Sequence, residues 1–293
     1  MQLAYNAFTS HEMEATMPSE LSILNIGGHP KDCILYAGGT IARHVARGDR
    51  VTMLTPYTGL SHHLTAINEY RDSSQMPDME ALVKERKTEL ENASAVLGVQ
   101  DVRFLGYDDS ITTITPEIVS DIADVIGDVT PDIIITHWPN DTVPAHGLST
   151  KMLLLAIDAA AGIRPGKPYK PFGGDTGGAA SQIFYHDQRG RTNILESLNP
   201  RMPNVIIDIT DVVVQKAEAM NCFTSQNYGE RSNLQRKLGE VLDGGLAGLH
   251  TRVPYAEAFL SHNPELYEYL PLSDYRIKRS NEASTEHISQ MLL

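Results

Sequence analysis

His29 and Asp32 stand three positions apart in the run Ile26-Gly27-Gly28-His29-Pro30-Lys31-Asp32, between a short apolar stretch and a helix-like one. At a strand-to-helix turn, that spacing offers a nitrogen and an oxygen to one divalent metal. His146, in Pro144-Ala145-His146, can bring a third donor from the end of a neighbouring parallel strand. Two imidazoles and one carboxylate with an open fourth position form the ligand set of a catalytic zinc. Each residue also has a plainer reading. A histidine before a proline is usually a hydrogen-bonding surface residue, and an aspartate near a helix start is usually a cap or a partner for the helix dipole. Lys31 lies between the two donors, where a metal hydrolase would have most use for a second carboxylate. Cys33 is read as a small buried helix residue and not as a thiolate ligand. His62-His63 is read as a solvated loop or pocket rim, because adjacent histidines rarely point at one ion. His11, His44, His186, His250, His262 and His287 have no supporting context.

The elements that must position these residues follow from the hydropathy pattern. Leu21 to Ile26 reads as a strand, Ile34 to Ala46 as a helix stopped by Gly48, and Val51 to Thr55 as a second strand. This is a βαβ unit, with parallel pairing and a right-handed crossover. Met79 to Leu97 reads as a long helix closed by Gly98, and Val102 to Leu105 as a strand. Pro116 to Val129 is helical, with Thr115 at the N-cap and Pro116 at the first helical position. Ile133 to Thr136 is a buried strand opening into the loop His137 to His146, which precedes a helix around Thr150 to Ala160. Gln182 to Tyr185 and Asn204 to Ile209 read as strands, and Val212 to Phe223 as a helix. The fold class is therefore α/β, a doubly wound, mostly parallel Rossmann-like sheet flanked by helices in a single domain. Ligands bind beyond the carboxyl ends of strands in such sheets, which is where His29 and Asp32 fall.

Residues 1–20 read as an N-terminal extension, 21–270 as the domain and 271–293 as a C-terminal tail. Residues 162–180, rich in Gly and Pro, read as a loop over the site or at an oligomer contact, so a homo-oligomer stays open. A net charge of -13 argues against nucleic acid or an anionic membrane surface as the main partner, because phosphate binding draws on clustered Lys and Arg. No run of about 18 apolar residues is present, so no membrane span is expected. Two cysteines make no disulfide framework, and with no secretory signal visible the expected compartment is cytoplasmic.

Several ordered blocks give the chain a family resemblance. Gly28-His29-Pro30-Lys31-Asp32 followed by Ala37-Gly38-Gly39-Thr40-Ile41-Ala42-Arg43 resembles the opening motif of the PIG-L/LmbE-like zinc N-deacetylases, usually A-H-P-D-D-E and a G-G-T-I-A-R-like helix. Arg86 and Glu89, Leu97-Gly98-Val99 and Leu105-Gly106-Tyr107-Asp108 fit later blocks. Thr136-His137-Trp138-Pro139-Asn140-Asp141 with Pro144-Ala145-His146 fits T-H-x-P-x-D and H-P-D-H, and Lys216, Ser225-Gln226 and Tyr255 to Phe259 fit the C-terminal signatures. The resemblance implies one zinc ion per chain held by His29, Asp32 and His146. It also implies a zinc-bound water attacking the amide carbonyl of a small-molecule substrate, such as an N-acylated amino sugar.

The same resemblance exposes three departures. The family's general base falls at Lys31, its second catalytic histidine at Val143, and that histidine's supporting aspartate at Ala145. A positioned acid or base typically adds about 10²–10⁴-fold, so the losses bear directly on amide cleavage. Neutral Lys31 could act as a base and charged Lys31 could stabilise an oxyanion, whereas a plain reading pairs it with an acid or with solvent. Asp141 and His137 are the other catalytic candidates: Asp141 could back a ligand histidine, and His137 could orient Asp141 or touch substrate. Tyr57, Arg86, Asp108 and Asp109 are expected to bind substrate. The alternative function is a metal-binding member that has lost deacetylation and acts in binding or in a different metal-dependent reaction.

Overall fold

The computed structural model describes residues 20–141, 143–162, 182–186, 203–228, 253–264, 271 and 273. Most of the N-terminal extension, the loop at 162–180 and the C-terminal tail lie outside the described residues.

The apolar runs form a seven-stranded sheet in the order β3-β2-β1-β4-β5-β7-β6. Its strands are β1 (Ser22–Ile26), β2 (Arg50–Tyr57), β3 (Asp101–Tyr107), β4 (Ile133–Thr136), β5 (Gln182–His186), β6 (Val205–Asp208) and β7 (Ala256–Ser261). Strands β1 to β5 pair in parallel, with β1 between β2 and β4, and β7 runs antiparallel to both β5 and β6. The helices are α1 (Asp32–Leu35), α2 (Gly38–Arg47), α3 (Leu64–Ser73), α4 (Met79–Val96), α5 (Pro116–Val129), α6 (Pro144–Ala161) and α7 (Val213–Asn221).

Every residue of β1 is buried, as expected for a central parallel strand covered on both faces. Its side chains alternate between two cores: Leu24 and Ile26 pack with α5 and α6, and Ile23 with the layer of α1, α2, α4 and α7. The chain passes from β1 to β2 on one side of β1 and reaches β4 on the other, so β1 and β4 flank a topological switch point. In sheets of this kind, ligands bind beyond the carboxyl ends of the strands at such a point.

Three features differ from the sequence expectation. The helix predicted over 34–46 is two helices, α1 and α2, broken at Tyr36 and Ala37. The buried start of α2 is held by Glu257, whose carboxylate accepts from Gly39 N at 2.8 Å and Thr40 N at 2.7 Å and from Lys216 Nζ at 2.6 Å. The helix expected around 150 begins at Pro144, the first helical position after the N-cap Val143, so His146 lies in a helical first turn and not in a loop. α3 and the antiparallel β7 were not anticipated. Gly98 does close α4, at φ +82°.

Candidate metal centre

The turn after β1 is tight. A Cβ at Gly27 would stand 2.7 Å from Cys33 N, so only glycine lets α1 start this close to the strand. Asn25 in β1 fixes the turn by donating Nδ2 to Cys33 O at 2.8 Å. Within it, His29 N donates to Asp32 Oδ2 at 2.9 Å, which turns the carboxylate toward the His29 ring.

His146 reaches the same point from α6. Asp141, at the end of the loop after β4, accepts Val143 N on Oδ1 at 2.8 Å and faces His146 Nδ1 with Oδ2 at 3.1 Å. A carboxylate at Nδ1 places the ring proton there and leaves the Nε2 lone pair facing the centre. His29 Nδ1, Asp32 Oδ2 and His146 Nε2 then stand 3.0, 3.1 and 3.2 Å apart in pairs. Donors about 2.0 Å from a tetrahedral ion lie about 3.3 Å from one another. These three atoms therefore fit one small divalent cation, and the donor set, two nitrogens and one oxygen, suits zinc.

All three ligand candidates are buried. Burial works to raise the Asp32 carboxyl, but the Lys31 cation and the contacts with His146 and His29 outweigh it and hold it well below the usual range. Burial pushes His29 down. At His146, burial is overcome by Asp32 and Asp141, and the net shift is upward. Lys31 keeps 15% of its side chain exposed and donates Nζ to Asp32 Oδ1 at 2.7 Å. One oxygen of Asp32 thus faces the ligand set and the other a fixed cation.

The remaining predicted residues take distinct places. His137 is fully buried behind the ligands; its Nε2 accepts Gly28 N at 2.9 Å, its ring stacks on His146 at 3.9 Å, and Asp141 is 4.0 Å from its Nδ1. Burial holds it well below the ordinary histidine range. Tyr57 is buried with its ring 6.5 Å from His29, and burial lifts its hydroxyl to about 12. Arg86 lies beneath the surface, donating Nη1 to Glu89 at 2.9 Å and to Ser225 Oγ at 3.0 Å, which ties α4 to the turn at 224–226. Asp108 is exposed and accepts Ser110 N at 2.6 Å. Asp109 organises the turn after β2, accepting from Thr58 Oγ1, Gly59 N, Ser61 N and Ser61 Oγ at 2.7–3.1 Å.

Two further histidines, His62 and His186, join the centre. His62 stands with its ring 5.2 Å from His29, at the rim that the His62-His63 pair was expected to form, while His63 is buried and accepts Ala66 N at the start of α3. Burial, Lys31 and His29 push His62 down to about 4. His186, at the end of β5, meets the His137 ring edge-on at 5.1 Å. His186 ends β5 and had no supporting context; its place at the carboxyl end of a parallel strand is the signal that could have singled it out.

Residues 24–157 match the family described as PIG-L: GlcNAc-PI de-N-acetylase. That match spans a little under half of the chain, which is similar to this family over that stretch. A 1D-myo-inositol 2-acetamido-2-deoxy-alpha-D-glucopyranoside deacetylase of Geodermatophilus obscurus is 31% identical over 185 residues, covering 54% of this chain and 57% of that protein. The chain spans about half the length of the first curated relatives it matches. Among solved structures, the N,N'-diacetylchitobiose deacetylase of Pyrococcus horikoshii superposes with a TM-score of 0.62 at 21% identity, covering 83% of each chain. The 4-carboxy-2-hydroxymuconate hydratase GalB of Pseudomonas putida KT2440 gives 0.62 at 23% identity, covering 86% of this chain and 100% of that one. These two likenesses carry the fold alone. No described helix is long and apolar enough to cross a membrane.

Proposed function

We propose that this protein is a zinc-dependent hydrolase of small N-acylated amines, N-acetyl amino sugars first among them, with a proton-handling apparatus rebuilt around Lys31. The observation that carries the reading is the convergence of His29 Nδ1, Asp32 Oδ2 and His146 Nε2 within 3.2 Å, with Asp141 behind His146. Relatives named as deacetylases of acetamido sugars support the substrate class.

A zinc ion in this donor set would supply Lewis-acid polarisation of a carbonyl and a lowered water pKa. The chain's own residues divide the rest. Asp141 holds the His146 tautomer, and the buried ring of His137 packs against it and fixes Gly28 N. Lys31, held on Asp32 Oδ1, puts a positive charge beside the centre, where negative charge develops on a carbonyl oxygen. Val143, whose position in the family belongs to a histidine, can neither donate nor accept a proton.

Val143 also favours a second reading, a metal-dependent reaction that expels no amine. The fold itself accommodates such chemistry, as the hydratase with the same architecture illustrates.

The deciding experiment is a zinc-loaded screen against N-acetyl sugars, run with wild type, Lys31→Met and the double change Lys31→Asp with Val143→His. The hydrolase reading expects turnover by wild type, and a loss of at least about 10²-fold in kcat with retained zinc in Lys31→Met. Turnover only in the double variant would overturn it in favour of the second reading.

A further inference from the structure

An exposed acceptor group at this centre is supplied by the turn after β2. Asp109 Oδ2 stands 2.7 Å from Ser61 Oγ, and Ser61 Oγ stands 2.8 Å from His62 Nδ1. A carboxylate only accepts, so the single hydroxyl proton of Ser61 goes to Asp109. Ser61 Oγ must then accept from His62, which places the imidazole proton on Nδ1 and leaves the lone pair on Nε2. The turn is rigidly specified. Asp109 takes two backbone N–H groups and two hydroxyls, and Gly59 sits at φ +76°, where an added Cβ would meet Arg86 Nη2 at 2.7 Å. Glycine is required there for both reasons. From the other side, Gln226 Nε2 donates to His62 O at 3.1 Å.

We propose that His62 is a catalytic residue of this centre, its Nε2 presented as hydrogen-bond acceptor to the reacting groups by the chain Asp109–Ser61–His62. The inference rests on the hydrolase reading for its chemistry but not for its geometry. His62 is exposed, whereas His29, His137 and His146 are buried, so it is the histidine that an incoming substrate meets. Donor atoms of His29, His62 and Asp109 lie within 4.8 Å of one another, and the His62 ring stands 5.2 Å from that of His29, which puts it beside one of the three ligand candidates. Other acceptors close by are engaged. Asp32 holds Lys31 and the His29 backbone, Asp141 holds Val143 and His146, and the His137 lone pair takes Gly28 N. Where Lys31 has replaced a carboxylate, His62 Nε2 accepts the O–H of the nucleophile or the N–H of the substrate, and so orients it. Asp109 and Ser61 are positioning residues in this scheme.

The test needs no known substrate. Long-range proton–nitrogen spectra of zinc-loaded protein with labelled histidine are expected to show His62 protonated on Nδ1, and to show that tautomer lost in Ser61→Ala and in Asp109→Asn. Acetohydroxamic acid, a zinc-binding amide analogue with N–H and O–H donors, is expected to shift the His62 Nε2 resonance. An Nε2–H tautomer in wild type, or an unmoved resonance, would overturn the proposal. If wild type turns over an N-acetyl sugar, His62→Ala lowers kcat by at least about 10²-fold with one zinc per chain retained. An unchanged kcat, or loss of zinc, would also overturn it. Absence of any turnover by wild type overturns the amide-hydrolysis reading instead, and the spectra still decide His62.

Discussion

Asp32 carries opposed demands on its two oxygens. Oδ2 faces the ligand set, and Oδ1 is held by the Lys31 ammonium at 2.7 Å. A metal ligand with a cation on its far oxygen is a weaker donor than a lone carboxylate, so the two histidines and their orientation matter more here. His29→Ala and His146→Ala are each expected to abolish stoichiometric zinc, measured by elemental analysis after dialysis; full metal content in both would remove the site assignment. Asp141→Asn keeps the shape but loses the charge behind His146. Competition with a chromophoric chelator should show affinity lower by about 10–100-fold. The meeting of His29, Asp32 and His146 was legible in the sequence because His29 and Asp32 share one turn and His146 closes a motif block. His62 was not. Its approach to His29 depends on a turn whose fixing carboxylate, Asp109, lies 48 residues away in the chain from Ser61.

Among the elements, α2 shows how little of a helix's placement is local. Its apolar pattern and the Gly48 stop at φ +100° are sequence features. Its start is not, since the N–H groups of Gly39 and Thr40 are taken by a carboxylate more than 200 residues away in the chain. Glu257 is in turn neutralised by Lys216, and both side chains are fully buried. Burial lowers the Lys216 pKa, and the Glu257 charge works against that. β7 escaped the sequence reading for the same reason: its Glu257 breaks the apolar run, although the residue points inward to a partner. Glu257→Ala leaves a buried ammonium and two orphaned helix N–H groups, so urea denaturation is expected to show a loss of about 3–5 kcal/mol. Adding Lys216→Met should recover a substantial part of that loss. A single variant as stable as wild type would mean that water replaces the carboxylate. α6 teaches the complementary lesson. Its start at Pro144 follows the preference of proline for the first helical position, a local rule that the apolar run beginning further on obscured.

Across the whole molecule, the switch point between β1 and β4 gathers imidazoles at one end of the sheet and buries most of them. His29, His137 and His186 are all pushed below the ordinary histidine range by burial, His186 to about 3. His186 is the informative member, because it is not a ligand candidate and neither ring nitrogen has a hydrogen-bond partner among the described residues. Its ring stacks on Tyr36 at 5.2 Å and lies 6.3 Å from Phe259, surroundings that a phenyl ring would fill equally well. Two consequences follow for His186→Phe. At neutral pH it removes unsatisfied buried nitrogens, each of which costs about 1–3 kcal/mol, so the variant should be the more stable protein. The second consequence depends on pH. The unfolded chain protonates His186 below about pH 6.5, whereas the folded chain refuses that proton until about pH 3. The folded pKa is the lower one, so the stability in question is fully present above about 6.5 and is lost as pH falls toward 3. The slope is up to about 1.4 kcal/mol per pH unit. His186→Phe deletes this contribution. Urea midpoints at pH 7.5, 5.5 and 4.5 should therefore diverge, with the advantage of the variant growing at each step down. Parallel curves would show that the folded protein accepts a proton at His186, and that this end of the sheet is wetter than its packing implies.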